Sequence, residues 1–277
     1  MLRKAVALGL ILVPGLAGTL AAFAGGGYIA EEPPPTPGAP YSAVAVTQST
    51  TTFSDGNRLV RSNTTRYFRD GQGRTRVERG ANVDGADSSS QPNSTVLITD
   101  PVGGEIYYIR PQNKVATAIK LTPKAVAAYV AATRPADGQV PFALLGIGMG
   151  IGASLSTEAT TTETSLGQKT VNGVTASGTR VVRTFPAGVL GNENPITSTI
   201  DQWVSTDLGV PVQVIQTSSI GGSISLNLTQ IVRGEPDATL FAPPAGYTVH
   251  QMPTPTATGT VVSGGSSAVS VSVSSQP

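Results

Sequence analysis

Residues 66–79, RYFRDGQGRTRVER, carry Arg66, Arg69, Arg74, Arg76 and Arg79. Guanidinium groups this dense can bind phosphate or nucleic acid, or they can line a solvated face of a β-sheet. The two charged runs flank Asp70-Gly71-Gln72-Gly73, which has turn chemistry because Asp and Gly tolerate left-handed backbone. On a strand, Arg74, Arg76 and Glu78 share one face while Thr75 and Val77 share the other. The charge of the whole chain weighs against a nucleic-acid partner. The formal net charge is +1, and loss of Arg3 and Lys4 with the N-terminal segment described below turns it to −1. A nucleic-acid binder would carry a clear positive excess. The arginines therefore read as a solvated outer sheet face, with a binding surface for anionic lipid head groups or a partner domain as the alternative.

Other residue types offer less chemistry. LLGIGMGIG, residues 144–152, places glycine at every second position from Gly146 to Gly152. A dinucleotide loop needs a strand before it, a helix after it and an acidic residue about 20 positions on. Pro141 precedes this run and SLSTEATTTET follows, so the nucleotide reading fails. Two readings remain. The stretch is a buried apolar segment whose glycines allow close packing, or it is a flap of Phe142, Leu144, Leu145, Ile147, Met149 and Ile151 at the mouth of a hydrophobic cavity. His250 is the sole histidine and there is no cysteine, which argues against a zinc site and against a Ser-His-Asp arrangement. Asp100, Glu105, Asp201 and Asp207 could do acid–base work by type, but each falls at a turn or strand edge, where capping and solvation are the default. Trp203 reads as core or as one wall of a ligand cavity. The sequence thus predicts no catalytic residue, no metal ligand and no cofactor.

The elements that must position these residues are mostly strands. Charged residues make up 13% of the chain, about half the usual ~25%. Ser, Thr, Gly and Pro take their place, a bias that suits a β-rich extracytoplasmic protein. Arg3 and Lys4, the apolar run from Ala5 to Phe23 and the Ala22-Phe23-Ala24 motif predict a signal peptide over 1–24, cut between Ala24 and Gly25. Residues 25–40 form a Pro/Gly linker, 41–250 the folded body, and 251–277 a disordered Ser/Thr/Val tail. Within the body, period-2 runs alternate with turn signals, giving about ten strands in an antiparallel meander. Gly167–Gly173 reads as a loop between two of them. Thr122 as N-cap and Pro123 as first helical residue predict a short helix that ends at Pro135. The fold class is mainly β, in the α+β sense.

The C-terminal stretch IDQWVSTDLGVPVQVIQTSS…SISLNLTQIVRGEPDATLFAPPAGYTV resembles the end of the LolA-like family of lipoprotein carriers and lipoprotein-sorting-type domains. The matching positions are Trp203, Leu208 to Pro211, Leu240-Phe241 and Pro244 to Val249. YFRDGQGRTRVE, ITDPVGGEIYYIRPQNKVA and GVTASGTRVVRTFPAGVLGNENPI are similar to uncharacterised secreted bacterial proteins near that family. The resemblance implies an open, strongly curved antiparallel half-barrel with a short helix packed on the concave side. It also implies a lipid or lipoprotein acyl chain on that side, with Phe142, Leu145, Ile147, Met149 and Trp203 as candidate contacts. The function expected is that of a non-enzymatic, exported domain, periplasmic or extracellular, with no membrane span in the mature chain and no nucleic-acid partner. The alternative is a cell-envelope structural or sensor domain that binds an envelope protein and no small ligand.

Overall fold

The computed structural model describes residues 37–80, 94–127, 159–189 and 191–252. Two meanders share one sheet. The first runs β1 (Tyr41–Thr52), β2 (Arg58–Arg69), β3 (Thr75–Arg79), β4 (Thr95–Asp100), β5 (Glu105–Arg110) and β6 (Val115–Lys120). The second runs β7 (Thr160–Val171), β8 (Val174–Phe185), β9 (Ile196–Ser205), β10 (Pro211–Ser218) and β11 (Ser223–Arg233). They join where β11 pairs antiparallel with β1, from Tyr41↔Arg233 to Thr50↔Ser223. The chain then crosses the first meander and adds β12 (Thr248–Met252) beside β6. The spatial order is β12-β6-β5-β4-β3-β2-β1-β11-β10-β9-β8-β7, an open sheet with β12 and β7 at its edges. Each neighbouring pair is antiparallel except β12 with β6. The expected mainly β, open antiparallel fold is present, with twelve strands among the described residues where about ten were expected.

Turn chemistry acts where the sequence places it. Asp70 Oδ1 accepts the backbone N–H of Gln72 at 3.0 Å and of Arg74 at 2.8 Å, and Gly73 takes φ +86°. The carboxylate of Glu235 accepts the Gly71 N–H at 3.0 and 3.1 Å, tying this turn to the chain beyond β11. Thr122 caps residues 123–127, which are helical, by accepting the Ala125 N–H at 3.2 Å. The rest of the expected helix lies outside the described residues.

The main core gathers both meanders. Tyr41, Ala43, Tyr67 and Val77 pack in one cluster with Val171 and Val174 of the β7–β8 hairpin and Leu208 of the β9–β10 turn. Arg69 fastens these parts together. It is fully buried, donates to the carbonyl of Ala39 from Nε at 3.0 Å and Nη2 at 2.8 Å, and donates to the carbonyl of Leu208 at 2.6 Å. Its guanidinium lies 5.0 Å from the centre of the Tyr41 ring. Burial pushes the Tyr41 hydroxyl up to about 12, against the opposing pull of the Arg69 charge.

Three expectations need correction. The arginine-bearing face is not solvated. Arg76 and Glu78 are buried, and β3 is an interior strand between β2 and β4. The cover is the segment between β11 and β12, whose short 3-10 turn at Ala238–Phe241 places Phe241 in a cluster with Val96, Ile98 and Ile109. Arg76 donates to Glu78 at 2.7 Å and to the carbonyl of Leu240 at 2.9 Å, so its charge is paired beneath the cover. Residues 167–171 are strand, not loop. β7 passes through a bulge at Ser165/Gly167, where Gly167 at φ +77° absorbs the extra residue, and the turn shrinks to Asn172-Gly173. Finally, β12 carries the fold to Met252, two residues past the expected end of the body.

Candidate ligand-binding face

Strand alternation separates two sets of side chains on β9 and β10. Ser198 and Ile200 face one way, and Thr199, Asp201 and Trp203 face the other. Register then brings Ile200 opposite Gln216, Gln216 opposite Ile224, and Val214 opposite Leu226. Ile200 and Val214 are buried with Leu226 packed on them, and Leu226 also packs against the main core, so this small cluster borders it. On β8, Val181 lies opposite Ile200 and Arg183 opposite Ser198, so the apolar row ends in hydroxyl and guanidinium groups.

Gln216 is the unusual member. It continues the inward row of Val212 and Val214, and only 8% of it is exposed. Its Nε2 donates to Ser198 Oγ at 3.1 Å, while its buried Oε1 has no hydrogen-bond partner among the described residues. Exchanging the amide ends leaves the nitrogen without a partner instead, because Ser198 can serve one end only. Leaving a buried amide end unpaired costs about 1–3 kcal/mol, so the fold tolerates here a polar group it does not satisfy. The arrangement is an apolar floor with one unmet polar group at its end.

Trp203 stands on the opposite face of β9. It packs against the main core and lies over Gly178, its cross-strand partner on β8. A Cβ on Gly178 would stand 2.5 Å from the indole ring, so only glycine leaves room for it. Lys169 reaches across from β7, with its Nζ 3.9 Å from the ring centre, and donates to Gln213 Oε1 at 2.7 Å. Gln213 in turn donates to Asn227 Oδ1 at 2.9 Å. Trp203 is thus roofed by a lysine and a polar ladder, and it does not share the face of Ile200 and Gln216. Phe142, Leu145, Ile147 and Met149, like Ala24 and Gly25, lie outside the described residues.

The remaining chemistry-bearing side chains hold structure. Asp100 Oδ1 accepts the N–H groups of Val102 and Gly103, both at 2.8 Å, and caps the β4–β5 turn. Glu105 accepts the hydroxyl of Tyr107, whose pKa is pushed up to about 12 by burial first and by that bond second. Asp201 takes both arms of Arg180 at 2.6 Å, and that hydrogen bonding holds its carboxyl below the ordinary value. Asp207 accepts from Arg233 at 2.8 Å. His250 is exposed on the edge strand β12, opposite Thr117. Among the described residues no three His, Cys, Asp or Glu side chains come together as a metal site.

Gln216 is the residue that sequence reading missed. Its signal was present in PVQVIQTS, where a polar residue occupies the inward position after two valines.

Comparison with known proteins gives distant likenesses of fold. The chain is similar to MucB at 13% identity and a TM-score of 0.40, covering 80% of this chain and 62% of that one. It is similar to the lipoprotein LppX of Mycobacterium tuberculosis at 13% identity and a TM-score of 0.27, covering 70% of this chain and 87% of that one. A LolA superfamily protein of Nitrosomonas europaea is similar at 8% identity and a TM-score of 0.30, over 75% of this chain and 91% of that one. The chain thus spans about three-fifths of the MucB structure. No protein-family model matches the sequence, and no curated protein matches it.

Proposed function

We propose that this chain is an exported binding protein, not an enzyme, and that the β8–β11 face holds a lipid or other apolar ligand. The observation that carries the proposal is the buried Gln216 amide, unsatisfied at one end, set at the border of the Ile200–Val214–Leu226 cluster. Ile200 and Val214 are already buried, so a ligand with an apolar body takes the place of what covers them, and its hydroxyl, amide or carboxyl head completes the amide. In this reading Phe142, Leu145, Ile147 and Met149 supply further ligand contacts. Export rests on the N-terminal run that ends at Ala22-Phe23-Ala24. No helix among the described residues is long and apolar enough to cross a membrane.

A second reading, an envelope interaction domain without a small ligand, draws support from β7. This twelve-residue strand is almost wholly exposed and, among the described strands, stands at the edge of the sheet, where a partner strand could add. Its bulge and its charged Glu163 and Lys169 blunt that edge, which favours the first reading.

The test is native mass spectrometry of protein purified from the envelope, with lipid extraction, followed by titration with a fluorescent fatty-acid probe. Gln216→Leu is expected to keep or raise the melting temperature, since it removes an unmet polar group, and to weaken probe binding about tenfold. Protein that carries no lipid and binds no probe would leave the interaction domain.

A further inference from the structure

We infer that the paired tips of the β1–β2 and β10–β11 hairpins form a wedge that docks into an anionic lipid surface. The β1–β2 hairpin outruns β3 on one side, while on the other β11 accompanies β1 as far as Thr50↔Ser223. The pairing of β2 with β3 stops at Thr65↔Arg79, whereas β2 continues back to Arg58, roughly 20 Å farther along the strand. Three large apolar side chains crown this end of the hairpin: Phe53, Leu59 and Val60, which are 49%, 42% and 50% exposed. Ile220, 57% exposed, stands on the neighbouring tip.

The two tips are built as one unit. Gly221 and Gly222 take φ +96° and +122°, and a Cβ on them would stand 3.0 Å from the carbonyl oxygens of Thr52 and Thr50. The β10–β11 turn therefore lies directly against the end of β1. The β1–β2 turn is itself closed by hydrogen bonds from the Phe53 N–H to the Asn57 carbonyl at 2.9 Å and from the Gly56 N–H to the Phe53 carbonyl at 3.0 Å.

The distribution of side chains selects the partner. Leu59 and Val60 are adjacent, so they point to opposite faces of the hairpin. A flat protein partner would cover one face and leave the other in water. An element that enters a fluid interface is wetted by acyl chains on both. Arg58 and Arg61 bracket the two apolar residues, one on each face, and both are exposed with no ion pair among the described residues. Their apolar stems can follow the tip inward while the guanidiniums stay level with phosphate. The occupant that satisfies both features is a bilayer surface rich in anionic lipid. This site lies at the strand ends and stands whether or not the β8–β11 face holds a ligand.

The experiment is flotation of the full exported chain with vesicles of phosphatidylcholine alone or mixed with phosphatidylglycerol, at low and high salt. The expected result is binding that needs phosphatidylglycerol and weakens with salt. Leu59→Ser with Val60→Ser should reduce it more than tenfold. Arg58→Gln and Arg61→Gln should each cost about fivefold, the share of one basic side chain near an anionic surface. Phe53→Trp should show an emission blue shift on the mixed vesicles. These positions are exposed, so the variants should melt with the parent, and the arginine variants serve as the test if the serine pair does not fold. Absence of binding to the mixed vesicles, or equal binding by parent and variants, overturns the proposal and assigns the tips to a protein partner.

Discussion

The β2–β6 side of the sheet and the β7–β10 side are written in the same code of alternating apolar and polar residues, yet they end in different environments. On the first side, the segment from Gly234 to Tyr247 crosses over the strands, and Phe241, Leu240 and Tyr247 pack with Val96, Ile98 and Ile109. Arg76 and Glu78 lie beneath it, 9% and 7% exposed at the side chain. On the second side, the Arg180–Asp201 pair remains open, 47% and 20% exposed, and the outer strand β7 is exposed almost throughout. Alternation decides which residues share a face. What crosses that face later in the chain decides whether they meet water. The energetic meaning of an ion pair changes accordingly, because an exposed pair contributes little while a buried one must be matched bond for bond.

The comparison breaks most sharply at the cover. Phe241→Ala should cost about 3–5 kcal/mol, as a buried aromatic truncation does, and should open the Arg76–Glu78 pair to solvent. A denaturant melt measures it. A loss below about 1 kcal/mol would show that the crossing segment does not seal that face.

Gly178→Ala tests the other side. The added methyl would run into the Trp203 ring, so the indole must move, at about 1–3 kcal/mol. The indole emission should shift as Trp203 leaves the main core. An unchanged spectrum with an unchanged melt would mean that Trp203 is not held by its glycine seat.

The smallest effect belongs to the exposed pair. Arg180 holds the folded pKa of Asp201 below its unfolded value, first through hydrogen bonding. Such a group stabilises the fold above the unfolded carboxylate value of about 3.9 and loses that contribution as pH falls through the folded value. Parent and Asp201→Asn should therefore differ by a small, constant amount in melting temperature from pH 6 to 8. They should converge only as pH falls below the lowered folded value of Asp201. A difference that persists at low pH would point to packing instead of charge.

Much of this fold was legible because its information is local. Asp70-Gly71-Gln72-Gly73, Thr122-Pro123 and Gly221-Gly222 each announce their backbone geometry within a few residues, and the structure uses each as written. The seven-residue stretch 167–173 misled because glycine at 167 signals a bulge and a turn equally well. The cover over Arg76 was not legible at its own position, since Leu240, which caps it, lies 164 residues away in sequence. β12 was missed for the same reason. Five residues, TVHQM, acquire strand identity from pairing with β6, not from their own pattern. At the candidate face, Gln216 could be read from its inward parity, but its unsatisfied state depends on Ser198 one strand away.

The seam between β1 and β11 carries a consequence for how the molecule assembles. Among the described strands β1 comes first in the chain and lies near the middle of the sheet, and its second neighbour, β11, is the last but one. Tyr41 waits for Arg233. The equilibrium cost of closing so long a loop grows only logarithmically, but the search for such a distant partner is slow, which places this topology among slow-folding β proteins. Until β11 arrives, the first meander presents β1 as a bare edge of twelve residues, Tyr41–Thr52. A nascent chain in that state needs shielding from its own copies.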